Sequence, residues 1–553
     1  MTPTRLVVLC LLALTGLRLA YVGHVELSPD EAYYQMWSER LDWGYYSKGP
    51  GVAAIIRAGT ALFGVNEFGV RCFSPVFALG TSLVLFFLAR RLYGEGAAAW
   101  LAILLNVTPL FTAGSLLMTI DAPSVFCWAT AMAATWRALE RGGGGSLGWW
   151  LLAGVGVGLG FLCKYTNAME LLCAALALLA VPRWRAEFRR PGFYAMLGAA
   201  AAIGSPPVFW NAGHAWVTLS HLHSRGRLGT AFDRPLGEFS KFFTTHLAVY
   251  SPLVLLGLLI AVGWGWRRAG LRLLFWRRPP GNAPRSPAPD AEKARFLLAF
   301  GLPLVVMYTL LGFKTAGEPN WTAPGFLGLS VLAAALWHKR AHASRPAAGF
   351  AVAALVVGLV SSVTVLSTDL ARAAGVRWDY RKDPTARLLG WRTTARAVEN
   401  FRADEERELG APVFLITNRY QLAAELNFYL ADKRPAAPGH PAAYMPESQS
   451  IDTQFSFWPR YEQISVANVP PRPPGAKAPR NAEEEFRGLE PSPFVGRSAL
   501  FVTDDDHVRR LPGTVEDGFE QCALVAQYEV RRRGQPLRTL RVYACFNYKG
   551  LEL

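Results

Sequence analysis

Charge is scarce in this chain: 18% of its 553 residues are Asp, Glu, Lys or Arg, against 52% apolar residues. With a mean hydropathy of +0.19, that excludes an ordinary soluble protein of this length. Cysteine is scarcer still, seven in all, so no disulfide framework builds the fold. Cys10, Cys72, Cys127, Cys163 and Cys173 fall inside apolar runs and read as small apolar residues. No GxxxxGK[ST] sequence occurs, which removes P-loop nucleotide chemistry. His214, His221 and His223 share one loop, with His246 near the next span, but no Cys pair or His-Glu-x-x-His accompanies them, which argues against a dedicated zinc site. No small-x-small cleavage site follows the first apolar run, so that run is expected to stay as a span rather than leave as a signal peptide.

What the chain has instead is a series of apolar segments near the roughly 20 residues that cross a bilayer. They fall at 5–23, 69–90, 96–113, 118–138, 147–163, 165–181, 193–210, 243–265, 295–312, 321–337 and 347–367, about eleven spans in all. Segment 51–64 is too short to cross and reads as an interfacial amphipathic helix. The net charge of +16 does not point to nucleic acid, because the basic residues lie in loops between apolar segments. Arg90-Arg91, Arg137 with Arg141, the Arg183–Arg190 and Arg267–Arg278 clusters and Lys339-Arg340 occupy alternate loops, which the positive-inside rule makes cytoplasmic. The opposite face then receives Asp30, Glu31, Lys48, Asp121, Lys164, Lys314 and everything after residue 368.

Carboxylates and lysines gathered on one membrane face suit acid/base chemistry on an anionic, lipid-linked substrate. A carboxylate can take the proton of an attacking hydroxyl, and an ammonium can neutralise a departing phosphate. Taken singly, each has a plainer reading. Lysines at span ends snorkel, and Asp30-Glu31 after Ser28-Pro29 fits a solvated helix start. Trp210, Trp216 and Trp321 can stack on sugar or belong to an interfacial aromatic belt. The glycine run Gly142–Gly145 reads as a cytoplasmic linker.

Four motifs stand in order along the chain: Asp30-Glu31-Ala32-Tyr33-Tyr34, Asp42-Trp43-Gly44-Tyr45-Tyr46-Ser47-Lys48-Gly49-Pro50, Thr119-Ile120-Asp121-Ala122-Pro123 and Gly160-Phe161-Leu162-Cys163-Lys164-Tyr165. Two further stretches follow, Pro207–Trp216 and Lys314–Trp321. In these the chain resembles the polyprenyl-phosphate-sugar-dependent glycosyltransferases of the GT-C fold. More narrowly, it is similar to bacterial glycosyltransferase family 39 proteins, related to the protein O-mannosyltransferases and the lipid A aminoarabinose transferases. The resemblance covers roughly residues 1–370.

The resemblance implies a sugar donor on a polyprenyl phosphate and an acceptor hydroxyl that displaces it with inversion. The acceptor class stays open among envelope glycolipid, glycan and protein. Asp30 would be the general base, and the catalytic carboxylates Glu31 and Asp121 would share that work or orient the acceptor. Lys48, Lys164 and Lys314 would bind the donor phosphate. Tyr33, Tyr34, Tyr46, Trp210, Asn211, His214, Glu318, Asn320 and Trp321 would contact acceptor or sugar. No cofactor is required. A divalent metal would sit beside an acid that aminoarabinose-transferase relatives can carry directly before the phosphate-binding lysine; Ser47 stands there.

The expected fold is thus a polytopic α-helical membrane protein of GT-C type in a bacterial inner membrane, with residues 1–370 as the catalytic module. Residues 371–553 read as a soluble extracytoplasmic α/β domain. Pro412–Thr417 and Ser498–Thr503 have buried-strand patterns, Arg419–Leu430 has helical spacing, and Ala523–Arg531 with Leu537–Phe546 forms a hairpin. Arg434–Pro491 is proline-rich loop, and Asp504-Asp505-Asp506 reads as a solvated turn. Cys522 and Cys545 flank the hairpin in an oxidising compartment, where a disulfide would persist. A lipid transporter or a non-catalytic scaffold are the competing functions. The chain shows no internal repeat of the kind many transporters have, and a scaffold needs no acids and lysines on one face.

Overall fold

Each of the apolar runs forms helix. The computed structural model describes residues 2–550 except 230, 272–288, 377–378, 437, 449, 462–491 and 506–509. The Arg267–Arg278 cluster beyond Leu271, the proline-rich stretch 462–491 and Asp506 therefore lie outside the described residues. Among the described residues, five helices are long and apolar enough to cross a membrane: Pro3–Val22, Glu67–Tyr93, Pro191–Gly213, Pro289–Leu311 and Arg345–Leu366. Pro235–Tyr250 and Pro252–Arg268 make a sixth if counted together, but they bend by 103° at Ser251. Pro252 has no amide hydrogen to donate, and Ser251 takes a left-handed φ of 67°. Glu95–Val107, Leu147–Cys163 and Tyr165–Ala180 are apolar but shorter. By length and composition five or six of the described helices meet that requirement, against about eleven expected from sequence. Proline breaks two of the expected runs into pieces, 96–113 at Pro109 and 243–265 at Pro252.

The chain divides into two compact units. One comprises Met1–Val25 with Ser38–Val376, the other Glu26–Trp37 with Arg377–Leu553. In the first, Arg345–Leu366 shows how the helices pack. Val352, Val356, Leu359, Val360 and Val363 face outward, as a lipid-facing surface requires, while Ala351, Ala354, Gly358 and Ser362 are buried. These small residues recur every three or four positions, so backbones can approach closely. A Cβ on Gly358 would lie 2.9 Å from the Val107 carbonyl oxygen. The helix Glu95–Val107 stops before Pro109, and the freed carbonyl of Val107 accepts a hydrogen bond from Ser362 Oγ at 2.8 Å. A broken helix is tolerated in an apolar setting when a neighbour restores the lost bond.

The second unit is a five-stranded mixed sheet in the order β2-β1-β3-β5-β4. Its strands are β1 Phe414–Thr417, β2 Ala443–Tyr444, β3 Ala499–Thr503, β4 Phe519–Arg532 and β5 Gln535–Tyr548. β1 runs parallel to both β2 and β3. β1 and β3 are buried along their whole length, as central strands covered on both faces must be. Trp391, Ala395 and Val398 of the helix Trp391–Leu409, with Leu422 and Leu426 of Tyr420–Tyr429, pack with Leu415, Leu500, Val502, Leu540 and Val542. β4 and β5 are joined by Arg533 and Gly534, with φ of 49° and 79°; two left-handed residues give the tight turn that matches strand twist.

Cys522 and Cys545 are directly opposed in this hairpin and are joined by a disulfide. Their sequence separation is 23, for which chain entropy gives about 3 kcal/mol of stabilisation. Replacing both with Ala should lower the stability of this unit by about that amount, measured as the unfolding midpoint of the purified protein with and without reductant. Equal midpoints under the two conditions would contradict the bond's role.

Candidate functional site

The first unit gathers charge where three helical elements begin or end. Asp121 opens the helix Asp121–Arg141, where a negative charge meets the positive end of the helix dipole. Lys164 follows the last residue of Leu147–Cys163. Asn320 sits in the 3-10 turn Pro319–Thr322, ahead of Ala323–Ala343. Lys164 Nζ donates to Asp121 Oδ1 at 2.7 Å, and Asn320 Nδ2 donates to Asp121 Oδ2 at 2.6 Å. Thr119 Oγ1 lies 3.3 Å from the same Oδ2, and Lys164 Nζ reaches the Asn320 carbonyl at 3.4 Å. The side chains of Lys164 and Asp121 are 7% and 13% exposed. A charge pair this dry is costly to keep unless both members are held by further polar groups, as they are here.

Lys48 rides on a turn built by its neighbours. Tyr45 N donates to the Lys48 carbonyl at 2.9 Å, and the Tyr45 ring is fully buried. Thr218 Oγ1 donates to the Tyr45 carbonyl at 3.2 Å, and Thr218 N donates to Asn211 Oδ1 at 3.1 Å. Trp210 Nε1 donates to Asp42 Oδ2 at 2.8 Å. A side chain on Gly49 would collide with the Leu162 carbonyl, and one on Gly51 with the Cys163 sulfur. The segment after Lys48 therefore lies flat on the helix end that carries Lys164, an approach only glycine permits.

Around this turn, Tyr46 meets the His221 ring at 4.8 Å, and Trp210 stacks on His214 at 3.9 Å. Burial first, then the charges of Lys48 and Arg225, push His221 down to about 4. It is neutral through the physiological range and adds no positive charge beside Lys48. Glu318 pairs with Arg225 at 2.9 Å, and Trp321 packs on Tyr308 at 5.4 Å. Lys314 donates to the Arg227 carbonyl at 3.3 Å and lies over the Phe232 ring. Asn211 is buried, and its amide bonds Thr218 N and the Pro207 carbonyl. Among the described residues no group of three His, Cys, Asp or Glu side chains is placed to hold a metal ion.

Asp30, Glu31, Tyr33 and Tyr34 belong to the second unit, on the helix Pro29–Glu39. Glu31 is fully buried. Its Oε2 accepts from Ser28 N at 2.9 Å and Ser28 Oγ at 3.0 Å, half of a capping box. Glu31 thus sits at a helix start, as expected, but buried rather than solvated. Asp30 is 38% exposed and faces Arg387 at 3.3 Å. Tyr33 is buried among Tyr420, Phe455 and Trp458, and its hydroxyl accepts from Gln454 N at 2.6 Å. Burial pushes this phenol up. Tyr33 is buried in the core of the unit, against partners more than 380 positions away in sequence, and Tyr34 is buried beside Tyr33 and Trp37. Glu26, which sequence reasoning missed, accepts from Trp391 N at 2.7 Å and Arg392 N at 3.2 Å, capping the helix Trp391–Leu409. Nothing in the local sequence signals that cap.

The family model described as dolichyl-phosphate-mannose-protein mannosyltransferase matches residues 47–210. That stretch carries Lys48, Asp121, Lys164 and Trp210. A lipid A galacturonosyltransferase of Rhizobium johnstonii is 27% identical over 427 residues, 76% of this chain and 81% of that protein. This chain is similar to the GT-C glycosyltransferases of family 39. An undecaprenyl phosphate-alpha-4-amino-4-deoxy-L-arabinose arabinosyl transferase of Pseudomonas aeruginosa is 30% identical over 213 residues, 35% of this family 39-like chain and 38% of the relative. The crystal structure of ArnT from Cupriavidus metallidurans in the apo state superposes with a TM-score of 0.57 at 16% identity, covering 98% of each chain. That likeness shows that the family 39-like chain has the GT-C fold along its length, its terminal sheet unit included.

Proposed function

We propose that this chain is a membrane glycosyltransferase that moves a sugar from a polyprenyl-phosphate donor to a hydroxyl of a cell-envelope acceptor. The observation that carries this reading is the buried Asp121–Lys164–Asn320 group with the Lys48 turn seated against the same helix end. Two ammonium groups supported in this way suit a phosphate that gains charge as it leaves. The acceptor oxygen attacks the anomeric carbon, and the bond from that carbon to the phosphate oxygen breaks, its electron pair leaving with the phosphate. The acceptor proton passes to Asp30. Asp121 keeps Lys164 aligned, and Glu31 holds the helix start that presents Asp30. Lys314 is the third cation of this reading. Tyr46, Trp210, His214, Glu318 and Trp321 are the sugar or acceptor contacts. This reading requires no cofactor. The relatives' names, lipid A galacturonosyltransferase and undecaprenyl-phosphate aminoarabinose transferase, favour a polyprenyl carrier and a glycolipid acceptor over a glycan or a protein.

The reaction belongs on the extracytoplasmic face of the bacterial inner membrane, with residues 371–553 on that side. The alternation of basic loops supports this orientation. A reporter active only in the cytoplasm, fused after Leu553, should be silent; a strong signal would reverse the orientation and move the acids to the wrong side. Mass spectrometry of envelope glycolipids should reveal a missing sugar when the gene is deleted. An unchanged glycolipid profile with a lost glycoprotein modification would move the acceptor to protein. Unchanged profiles of both would return the transporter and scaffold readings.

A further inference from the structure

Beneath the Asp121–Lys164 pair lies a second polar group that the reaction does not touch. Ser124 follows Asp121 by three residues on its helix, and Asn167 follows Lys164 by three in the 3-10 turn Tyr165–Ala168. Ser124 Oγ donates to Asn167 Oδ1 at 2.5 Å. Asn167 Nδ2 donates to the Ser124 carbonyl at 3.1 Å and to Glu170 Oε1 at 3.1 Å. Ser124 and Asn167 are fully buried, and Glu170 is 1% exposed. A side chain on Gly160 would collide with the Asn167 amide, so that amide also lies on the last turn of the helix ending before Lys164. One carboxamide thereby ties together the three elements that carry Asp121 and Lys164.

Such a group is costly in an apolar setting. Buried polar atoms must be bonded, and an ionisable residue inside a membrane segment is retained for function by default. Glu170 Oε2 makes no hydrogen bond among the described residues; a residue kept only to fill space would be apolar. Its bonded oxygen has a definite use. With Glu170 Oε1 and the Ser124 carbonyl both accepting, the Asn167 amide can take only the orientation that turns Oδ1 toward the Ser124 hydroxyl.

We propose that Ser124, Asn167 and Glu170 are positioning residues that set the register of Asp121 against Lys164, and so the aim of the lysine at the donor phosphate. This rests on the reading that Lys164 binds that phosphate. The geometry acts one helical turn away, through the backbone that each pair shares. Glu170 serves as a hydrogen-bond acceptor and not as a charge, so Gln can replace it while Leu cannot.

The test uses the full chain in lipid nanodiscs and undecaprenyl phosphate, the leaving group, as probe. Asn167→Leu and Glu170→Leu should each weaken binding about tenfold, the scale at which outer residues orienting a contact group act. Glu170→Gln should bind as the parent does. In a Lys164→Ala background Asn167→Leu should cost nothing further, because residues acting through one group are not additive; a general loss of structure would add. Ser124→Ala, a smaller change, gives the same comparison if Asn167→Leu fails to fold. Parental binding by Asn167→Leu or Ser124→Ala, or losses that add to that of Lys164→Ala, would overturn this inference alone. Parental binding by Lys164→Ala would overturn both it and the phosphate role of Lys164.

Discussion

Replacing Asp30 with Asn should cut turnover about 10²–10⁴-fold, the usual cost of losing a general base, while the protein folds as before. The side chain is 38% exposed and its ion pair with Arg387 is a surface pair at 3.3 Å. Such pairs contribute about 0–1 kcal/mol, so Asn removes basicity and little else. Glu31→Ala should behave in the opposite way. The Glu31 carboxylate is buried on Ser28 N and Ser28 Oγ, and loss of a helix cap costs about 1 kcal/mol of stability with turnover reduced much less. Thermal unfolding and single-turnover transfer, measured on both variants, separate the two acids. Parental turnover in Asp30→Asn would remove it as the base; loss in Asp121→Asn alone would move that role to Asp121.

Lys164→Ala should lower kcat/KM about 10²–10³-fold, the scale of one preorganised donor to developing charge. It also strips Asp121 of its 2.7 Å partner, and breaking a buried pair costs about 3–5 kcal/mol in stability. The double variant Lys164→Ala with Asp121→Asn should regain stability without regaining activity, which separates chemistry from folding. Lys164→Arg should rescue poorly. A planar guanidinium cannot replace a compact ammonium between Asp121 Oδ1 and the Asn320 carbonyl. If Lys164→Ala transfers sugar at the parental rate, the lysine only fills the dry end of its helix.

Much of this was legible in sequence wherever the signal is local. Asp121 opens a helix and Lys164 ends one, as the apolar runs on either side require. The buried strands at Phe414–Thr417 and Ala499–Thr503, and the hairpin around Arg533-Gly534, follow from short apolar runs and turn residues. What was not legible is pairing at a distance. The Asp121–Lys164 bond spans 43 positions and the Asp121–Asn320 bond 199, so each residue reads alone as an interfacial charge or amide. The segment Glu26–Trp37 belongs with the terminal sheet unit through Glu26 capping Trp391 and Tyr33 joining an aromatic cluster. Neither contact leaves a trace in the residues beside it. The helix Trp391–Leu409 escaped for another reason: its buried Trp391, Ala395 and Val398 are outnumbered by charged residues on the exposed face.

The central claim is that the donor is a sugar on a polyprenyl phosphate. The direct measurement mixes the purified, membrane-reconstituted chain with such a donor and lipid A, and follows free polyprenyl phosphate and glycosylated lipid by mass spectrometry. The two products should form in equal amounts with the parental chain, and at a rate lower by about 10²–10⁴ with Asp30→Asn. An untouched donor beside sugar drawn from a nucleotide would contradict the claim, as would release of polyprenyl phosphate at the same rate from both proteins.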